Sequence, residues 1–413
     1  MKSYLITYTS LALASGLLQA GPSQLVNEPF LAAIRAEAAR AHPTAHAGKQ
    51  KAIAAAQDVR TTRLWNDPMV GLGFMAADRM MRESDGDLSI GIEQVLPKPG
   101  LYAAERRKAE AMHRAELENS RTSTLSVGAE AARAAIELAL ADDSVALQQA
   151  QLTWLAAMVE NARQMAADPM RTSADALRME TELAKEAQTL NAARRSRDAF
   201  AQRLNLILGR SLDSPWPPLQ LPTSPPPSPV AQAEIARIPF VNPKVRAMAE
   251  MVGAANAETR IADRERVPEV SVGVDTNLYS QGEFRSAFVG LKLTLPWFNE
   301  ISNQAKVDAA KSRENAAGSE VEAMRREIAA NVLTAATEAA NAAAQARAYS
   351  GEIRDKARLA QQTIEAAWIS SKAPLTDLLD SSRTLFGIQL EHHRQTAMQL
   401  AALEELRILV PNR

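Results

Sequence analysis

Residues 67–78 read DPMVGLGFMAAD, and residues 267–278 read VPEVSVGVDTNL. In each stretch a proline opens a short run in which apolar residues alternate with small or polar ones, as in a β-strand. Pro268 follows Pro68 by 200 residues, and the glycines of the two stretches keep the same spacing. The agreement raises the question of whether the chain is duplicated.

The segments that follow these stretches answer the question. LSIGIEQVLPKPG at residues 88–100 matches AFVGLKLTLPWFN at residues 287–299, and Gly290 follows Gly91 by 199 residues. An offset that stays constant to within one residue across two strands indicates an internal duplication. Because the period far exceeds the 20–50 residues of solenoid repeats, each copy is predicted to be a whole structural half.

The composition excludes several classes of function. The 413 residues include 47 basic and 48 acidic ones, so no bulk attraction to nucleic acid is expected. Cysteine is absent, which excludes disulfides, thiolate metal sites and cysteine nucleophiles. The chain also lacks a Ser-His-Asp motif, a phosphate-binding loop and a metal-hydrolase spacing. We therefore predict a protein that is not an enzyme and needs no cofactor.

The N-terminus has the layout of an export signal. Lys2 precedes a run of mostly apolar and small residues that ends at Leu18-Gln19-Ala20, which predicts a secretory signal peptide over residues 1–20. An N-terminal helix is the alternative. No later segment reaches the 18 to 20 unbroken apolar residues of a transmembrane helix.

Most of the remaining sequence is helical in character. Residues 102–167 and 299–373 contain no proline or other clear stop within each helical run, and lengths of this order are typical of coiled coils. The proline-containing breaks AADPMRTSAD and SSKAPLTD follow, and helical character then resumes. We interpret Pro169 and Pro374 as the tips of helical hairpins. Candidate caps for the next helices are Thr172, Ser173 and Thr376.

These elements give a consistent domain organisation. Residues 21–213 form the first repeat, with the order helix, strand, strand, long helix, tip and helix. Residues 241–413 form the second repeat. Residues 214–240 contain SPWPPLQLPTSPPPSP, which is predicted to be a linker or an extended strap.

The strand-like segments separate two faces by alternation. In the last strand Ala287, Val289, Leu291 and Leu293 fall on one face, whereas Ser286, Gly290 and Lys292 fall on the other together with the exception Phe288. An ordinary sheet would bury its apolar face against helices. Eight of the 18 aromatic residues lie near the strands, however, and aromatic belts around strands of about ten residues are typical of outer-membrane barrels.

Only four such strands are predicted, in two separated hairpins. Four strands cannot close a barrel, and lipid does not tolerate an open sheet edge. Several chains must therefore share one barrel if the strands cross a membrane. Three chains would supply twelve strands and some room for a lumen, because eight strands leave an interior filled by side chains. The predicted lumen-facing positions are Glu93, Ser271, Asp275, Lys292 and Thr294.

With its duplication, four strands and long helices, the chain resembles the TolC-type outer-membrane efflux proteins. The segments NDPMVGLGFMAAD at 66–78 and EQVLPKPGLYAAERRKAEA at 93–111 are most similar to the heavy-metal (CzcC/CusC-type) branch. The chain departs from many relatives in having no lipidation cysteine, and Ala373-Pro374 stands at the tip where a glycine is common.

The resemblance implies a specific architecture and function. The fold would be mainly α, with a long α-helical barrel extending into the periplasm and a transmembrane β-barrel shared between the protomers of a homotrimer. The protein would lie in the outer membrane, in contact with its lipid. It would serve as a passive export duct for heavy-metal cations, together with a periplasmic adaptor and an inner-membrane pump of the RND type.

The resemblance also places Asp377 and Asp380 at the channel constriction. Their spacing of three puts both on one helix face, and rings of carboxylates favour cations. Asp175, with Arg178 one turn later, is the counterpart in the first repeat. The alternative is a solvated acidic pair that suits the helix dipole.

Metal ligation by the protein itself is less well supported. Candidate ligands are the pairs His42/His46 and His392/His393 and the methionines Met69, Met75, Met80 and Met81. Pro43 lies between His42 and His46 and disturbs the helix that would bring them together. His392 and His393 are adjacent, so on a helix their side chains point in directions about 100° apart. We therefore predict no metal site. The alternative function is a periplasmic coiled-coil structural or adaptor protein with a small soluble sheet, which would require the apolar strand faces to be covered by protein.

Overall fold

The computed structural model describes residues 23–74, 87–166, 174–223, 231–279 and 282–411. The predicted signal peptide and the first predicted tip around Pro169, with Thr172 and Ser173, lie outside these ranges. The described chain is mainly helical with a small sheet, as predicted. Contacts divide it into two compact units, and each unit takes residues from both sequence repeats. Unit 1 comprises the described parts of 1–34, 132–226 and 342–400, and unit 2 those of 35–131, 227–341 and 401–413.

The helices are α1 (Glu28–Ala41), α2 (Pro43–Thr61), α3 (Leu101–Ala166), α4 (Ala174–Ile207), α5 (Ala231–Val241), α6 (Pro243–Glu265), α7 (Glu300–Ala348), α8 (Arg354–Ile369) and α9 (Leu375–Leu409). The strands are β1 (Gln24–Leu25), β2 (Met69–Phe74), β3 (Asp87–Val95), β4 (Leu219–Gln220), β5 (Val270–Tyr279) and β6 (Phe284–Leu293). A 3₁₀ turn over Pro296–Asn299 leads from β6 into α7.

Of the two long helices that the sequence predicts, one is unbroken in the structure and the other is interrupted. The first is confirmed, because α3 runs unbroken for 66 residues. The second prediction, one helix over residues 299–373, is wrong. A π-helical turn at Tyr349–Ile353 separates α7 from α8, and Gly351 within it has non-helical angles of φ −102° and ψ −126°. Single π-helical turns interrupt the regular hydrogen-bond ladder of an α-helix, and here the interruption falls on a glycine.

The core of unit 1 lies where the described ends of α3, α4, α8 and α9 meet. The contributing side chains are small or medium apolar residues from each helix and one tryptophan: Leu155, Met158, Val159, Ala162, Ala176, Met179, Trp368, Leu375 and Leu378. Two hydrogen bonds join the same helices. Trp154 donates to Glu365 at 3.0 Å, and Gln151 donates to Ser382 at 2.8 Å. Apolar burial and these polar contacts together fix the second predicted tip.

The sequence spaces Val321, Met324, Ile328 and Val332 by three and four, which predicts an apolar helical stripe, and the core of unit 2 includes part of this stripe. Ile328 and Val332 are buried, and Met324 packs against the same cluster. Alanines one turn further along α7, with residues of α5 and α9, complete the cluster. The spacing of three and four therefore marks a packed face, as the period of an α-helix requires.

The proline-rich segment between the repeats is an ordered strap for part of its length. Leu219 and Gln220 pair in parallel with Gln24 and Leu25, a contact that the sequence analysis did not predict. The carboxylate of Asp142 accepts the Leu219 N–H at 2.9 Å, so the strap backbone is held by side chains of α3 as well as by strand pairing. The predicted linker is also too long at its C-terminal end, because α5 already begins at Ala231.

The main sheet is antiparallel and has the order β2-β3-β5-β6. The expectation of two separated hairpins is wrong, because β3 pairs with β5 over nine residues from Asp87↔Tyr279 to Val95↔Ser271. The central pairing joins the hairpin of the first repeat to that of the second. One four-stranded sheet per chain is the result, and it belongs wholly to unit 2.

The duplication is not exact in strand register. Gly273 lies opposite Gly290 in the second hairpin, but in the first hairpin Gly73 lies opposite Ser89 and Gly91 opposite Gly71. The two hairpins therefore differ by two residues in pairing. Because side chains alternate with a period of two, an even shift leaves every residue on its predicted face.

The second predicted tip is a helix C-cap that contains a residue in the left-handed region. Ser371 has φ 62°, its N–H donates to the Trp368 carbonyl at 2.9 Å, and the Lys372 N–H donates to the Ala367 carbonyl at 2.7 Å. These two bonds form the Schellman arrangement, in which glycine is the usual left-handed residue. Thr376 lies inside α9 and is not its N-cap, which corrects that prediction.

The left-handed Ser371 generates a stability prediction. Ser371→Gly should raise the free energy of unfolding by about 1 kcal/mol relative to Ser371→Ala, because only a residue with a Cβ is penalised at this φ. Both substitutions remove the hydroxyl, so their difference isolates the Cβ. The measurement is the midpoint of thermal unfolding of the purified full-length protein. Equal midpoints for the two variants would show that the turn relaxes without strain.

Candidate functional site

The first candidate surface is the apolar face of the β2-β3-β5-β6 sheet. The register places the apolar side chains of all four strands on this face: Val70, Leu72, Phe74, Leu88, Ile90, Ile92, Val270, Val272, Val274, Leu278, Val289, Leu291 and Leu293. Several of them are largely exposed, including Leu72 at 74%, Val289 at 71% and Leu291 at 68%. The described residues of the chain therefore leave much of this face uncovered.

An uncovered apolar face of this kind is unusual for a protein surrounded by water. Contiguous exposed apolar patches of more than a few hundred Å² mark surfaces that meet a partner or a membrane. The soluble-sheet alternative required these side chains to be covered, and Leu72, Val289 and Leu291 do not meet that condition.

The opposite face of the sheet is polar and internally bonded. Ser271 donates to one carboxylate oxygen of Glu93, and Lys292 forms an ion pair with the other. The predicted lumen-facing positions Glu93, Ser271, Asp275 and Lys292 share this face by register. Thr294 follows the end of β6, where its hydroxyl accepts the Glu269 N–H at 2.8 Å. The alternation in the sequence marks these positions but does not predict the Glu93–Lys292 ion pair.

Close approach on the polar face requires a glycine. A Cβ on Gly91 would lie 2.0 Å from a carboxylate oxygen of Asp275, the residue directly opposite it. The missing side chain thus leaves room for the Asp275 carboxylate. Phe288, the exception to the alternation, does lie on the polar face, and its ring packs over Gly290.

The outer strands of the sheet each have one neighbour. β2 pairs only with β3, and β6 pairs only with β5, within the described chain. The outward backbone groups of β2 and β6 therefore lack strand partners inside the protomer. Such edges are templates for pairing with another chain.

Exposed aromatic side chains lie at the connections between the sheet and the helices. Trp65 precedes β2, and Trp297 and Phe298 follow β6, with Phe298 exposed over 79% of its surface. Aromatic residues at the ends of strands are typical of the boundary between lipid and water. Of the predicted methionine group, Met69 lies in β2 and is exposed, and the other three lie outside the described residues.

The second candidate surface is the acidic start of α9 in unit 1. Leu375 and Leu378 are buried in the core of the unit, whereas Asp377 and Asp380 are both exposed. Both side chains therefore lie on the side of α9 that is turned away from the core. The buried leucines fix the rotation of α9 and direct the two carboxylates away from the core.

The two carboxylates differ in their partners. Asp380 pairs with Arg383 at 3.4 Å, and Arg383 also reaches Glu182 of α4 at 3.0 Å. Among the described residues, Asp377 has only the Thr376 hydroxyl within hydrogen-bonding reach, at 3.5 Å. The spacing of three could have predicted the Asp380–Arg383 pair, but the contact with Glu182 depends on how the helices pack. One turn after Glu182, partial burial raises the pKa of Glu186.

The first-repeat candidates lie at the start of α4. Asp175 is in the first turn and half-buried, and Arg178 is exposed one turn later. Within the described ranges these two residues form no ion pair with one another.

The candidate metal-binding histidines have structural partners instead. His42 accepts the Thr44 N–H and caps α2, while His46 lies 2.8 Å from the Arg40 carbonyl. His392 bonds to the Ala346 carbonyl at 3.0 Å and His393 to Asp143 at 3.0 Å. Burial lowers the pKa of His392, although the bond to Ala346 opposes this effect. The part of the chain that the structure describes contains no cluster of three or more His, Asp or Glu residues suited to a metal ion.

No helix among the described residues is long and apolar enough to cross a membrane. The family model for outer membrane efflux proteins matches residues 241–410, which include β5, β6 and the helices up to α9. No curated protein sequence matches the chain.

Solved structures match over nearly the whole chain. The outer-membrane channel OprN superposes with a TM-score of 0.78 at 16% identity, covering 94% of this chain and 91% of OprN. The chain has the outer-membrane channel fold. VceC of Vibrio cholerae gives a TM-score of 0.77 at 16% identity, covering 92% of this chain and 96% of VceC. CusC gives 0.75 at 14% identity, covering 92% and 91%. These scores show the outer-membrane channel fold without favouring the heavy-metal branch.

Proposed function

We propose that this protein is the outer-membrane duct of a tripartite efflux system. The observation that carries the proposal is the four-stranded sheet, which has an exposed apolar face, a polar opposite face and two edges that no described strand pairs with. A membrane-spanning sheet needs its apolar face toward lipid and all its backbone groups paired. The outer-membrane channel fold supports the same assignment.

The assembly that satisfies both edges is a homotrimer. The β6 edge of one protomer pairs with the β2 edge of the next, and three copies close a barrel of twelve strands with the polar face inward. Strands of about ten residues match the thickness of the membrane hydrocarbon when they are tilted. Glu93, Ser271, Asp275, Lys292 and Thr294 then line the lumen.

The remaining assignments follow from this position. The protein lies in the outer membrane after removal of residues 1–20, and its helices extend into the periplasm. There it meets an adaptor and, through it, an inner-membrane pump of the RND type. As a passive duct it is not an enzyme and carries no cofactor. The two repeats, 21–213 and 241–413, supply equivalent halves of each protomer.

We assign heavy-metal cations as the cargo class. The strand-exit segments that resemble the heavy-metal branch support this assignment, and so do the exposed carboxylates of Asp377 and Asp380 at the start of α9. In a trimer three copies of each carboxylate form one acidic ring, with Asp175 and Arg178 close to the constriction. Such a ring attracts cations.

Fractionation separates the duct from the alternative of a periplasmic coiled-coil structural or adaptor protein. A trimer that requires detergent and resists sarkosyl supports the duct. A soluble periplasmic monomer would support the alternative and contradict the duct proposal.

The trimer can be tested by cross-linking across the strand edges, since the chain has no native cysteine. Leu72→Cys in β2 combined with Val289→Cys in β6 should give disulfide-linked species up to a trimer, because the two side chains lie on the same face at opposite edges of the sheet. The readout is a non-reducing gel of detergent-extracted membranes. Leu72→Cys alone is the control. Products that stop at dimers would contradict a closed ring of three.

The assignment of the two sheet faces can be tested with two single variants that each introduce an arginine at neighbouring positions of β6. Val289→Arg places the charge on the apolar face near the middle of β6 and should cost about 2–4 kcal/mol of assembly stability if that face meets lipid. Phe288→Arg is the matched control, because it places the same charge at nearly the same depth on the polar face and should be tolerated. The yield of heat-stable trimer in the outer-membrane fraction measures both. Equal yields would show that the faces are assigned wrongly.

The tip assignment can be tested by planar-bilayer recording. Asp377→Asn should reduce cation selectivity and block by divalent cations more than Asp380→Asn does, because Arg383 already neutralises part of the Asp380 charge. The double variant should lose both properties while the trimer stays intact. Asp198→Asn, an exposed acid elsewhere on α4, is the control. Unchanged selectivity in the double variant would place these carboxylates outside the conducting path.

A further inference from the structure

A cavity of about 470 Å³ lies in unit 2, where α3, α6 and α7 meet beside the sheet. Its charged lining residues are mostly basic. They are Arg107 of α3, Arg260 and Arg264 of α6, Arg266 at the end of α6 and Lys311 of α7, and among the described lining residues Asp263 is the one acidic side chain. Five positive charges therefore face one negative charge.

Two of the five cations have polar partners. Arg266 donates to Gln304 at 3.1 Å and lies 3.6 Å from Glu300, and Arg264 lies 3.8 Å from Asp263. The last distance is long for an ion pair, so the Arg264 charge is only weakly compensated.

The other three cations, Arg107, Arg260 and Lys311, form no ion pair among the described residues. The nearby carboxylate of Glu314 accepts hydrogen bonds from Asn256 at 2.8 Å and Thr259 at 2.9 Å, and these bonds lower its pKa. The charge of Arg260 lowers it further, so Glu314 offsets part of the Arg260 charge without forming an ion pair. Among the described residues, the cavity lining thus keeps an excess of positive charge.

A glycine stands at the rim of the cavity next to Arg264. Gly100 has φ +79°, in the left-handed region that favours glycine, and a Cβ there would be in ordinary contact with Nε of Arg264 at 3.5 Å. The glycine follows β3 by five residues, and Arg266 precedes β5 by four. The rim is therefore built from the connections that join the sheet to the helices.

The exposed Trp297 and Phe298 belong to another of these connections, between β6 and α7. Basic side chains beside exposed aromatic ones are typical of the level at which lipid headgroups lie. If the sheet spans the hydrocarbon, the cavity rim lies just beyond it on the helical side.

We propose that this cavity binds the phosphate group of an anionic phospholipid from the leaflet that faces the helices. The proposal rests on the proposed function, because it uses the membrane position of the sheet. The guanidinium groups of Arg107 and Arg260 offer paired N–H donors that match phosphate oxygens, and Lys311 adds a third charge. A free phosphate ester has the same chemistry, but Arg266 at the rim lies 3.6 Å from Glu300, two residues after Phe298, and this link to the aromatic connection favours the lipid.

The test uses the full-length protein in neutral detergent and a fluorescent phosphatidylglycerol. The triple substitution Arg107→Gln, Arg260→Gln and Lys311→Gln should weaken lipid binding about a hundredfold, since each charge near the lipid contributes about 1 kcal/mol. Arg107→Gln alone should weaken it about fivefold. The matched control Lys51→Gln, Lys244→Gln and Lys372→Gln removes three exposed charges elsewhere and should bind as the unmodified protein does. Phosphatidylcholine, whose headgroup has no net charge, tests whether binding depends on the charge of the headgroup.

Several outcomes would overturn the inference. Unchanged phosphatidylglycerol binding in the triple variant would do so, as would equal binding of phosphatidylcholine. Inorganic phosphate that competes at the same concentration as the lipid would identify a free-phosphate site instead. Trimer yield and single-channel conductance are measured on the same samples. If the triple variant forms a conducting trimer and binds the lipid with unchanged affinity, the lipid site is refuted while the proposed duct function still stands.

Discussion

The structure depends on one constraint, which is that four strands form a sheet that a single chain neither covers nor closes. Each buried backbone N–H and C=O needs a partner, and the outward groups of β2 and β6 have no neighbouring strand in the described part of the protomer. The exposed side chains of Leu72 and Val289 lack a covering layer as well. Both needs are met together when copies pair edge to edge in lipid, and a monomer in water meets neither.

The polar face of the sheet shows how the same strands can border water. Glu93 joins β3 to β5 through Ser271 and to β6 through Lys292, so one carboxylate links three strands. Gly91 gives the Asp275 carboxylate the space that it needs. In the proposed barrel these contacts stiffen the wall of the lumen without filling it.

Unit 1 exposes charged side chains at the end of a helical hairpin. The buried Leu375 and Leu378 set the rotation of α9, and Asp377 and Asp380 therefore point outward. Arg383 links α9 to α4 through Glu182. Of the two carboxylates, Asp380 has an ion-pair partner and Asp377 has none within the described ranges, which gives Asp377 the larger expected influence on a passing cation.

The sequence by itself determined the duplication, the long α3, the second tip and the two faces of each strand. These features depend on local period and on proline, so an alternation of two or a spacing of three and four suffices to predict them. The tertiary structure alone decided the β3–β5 pairing, the strap at Leu219, the break at Gly351 and the Glu93–Lys292 and Arg383–Glu182 contacts. Most of these join residues that are far apart in the chain, and their partners are selected by packing and by the geometry of hydrogen bonds, which no local pattern encodes.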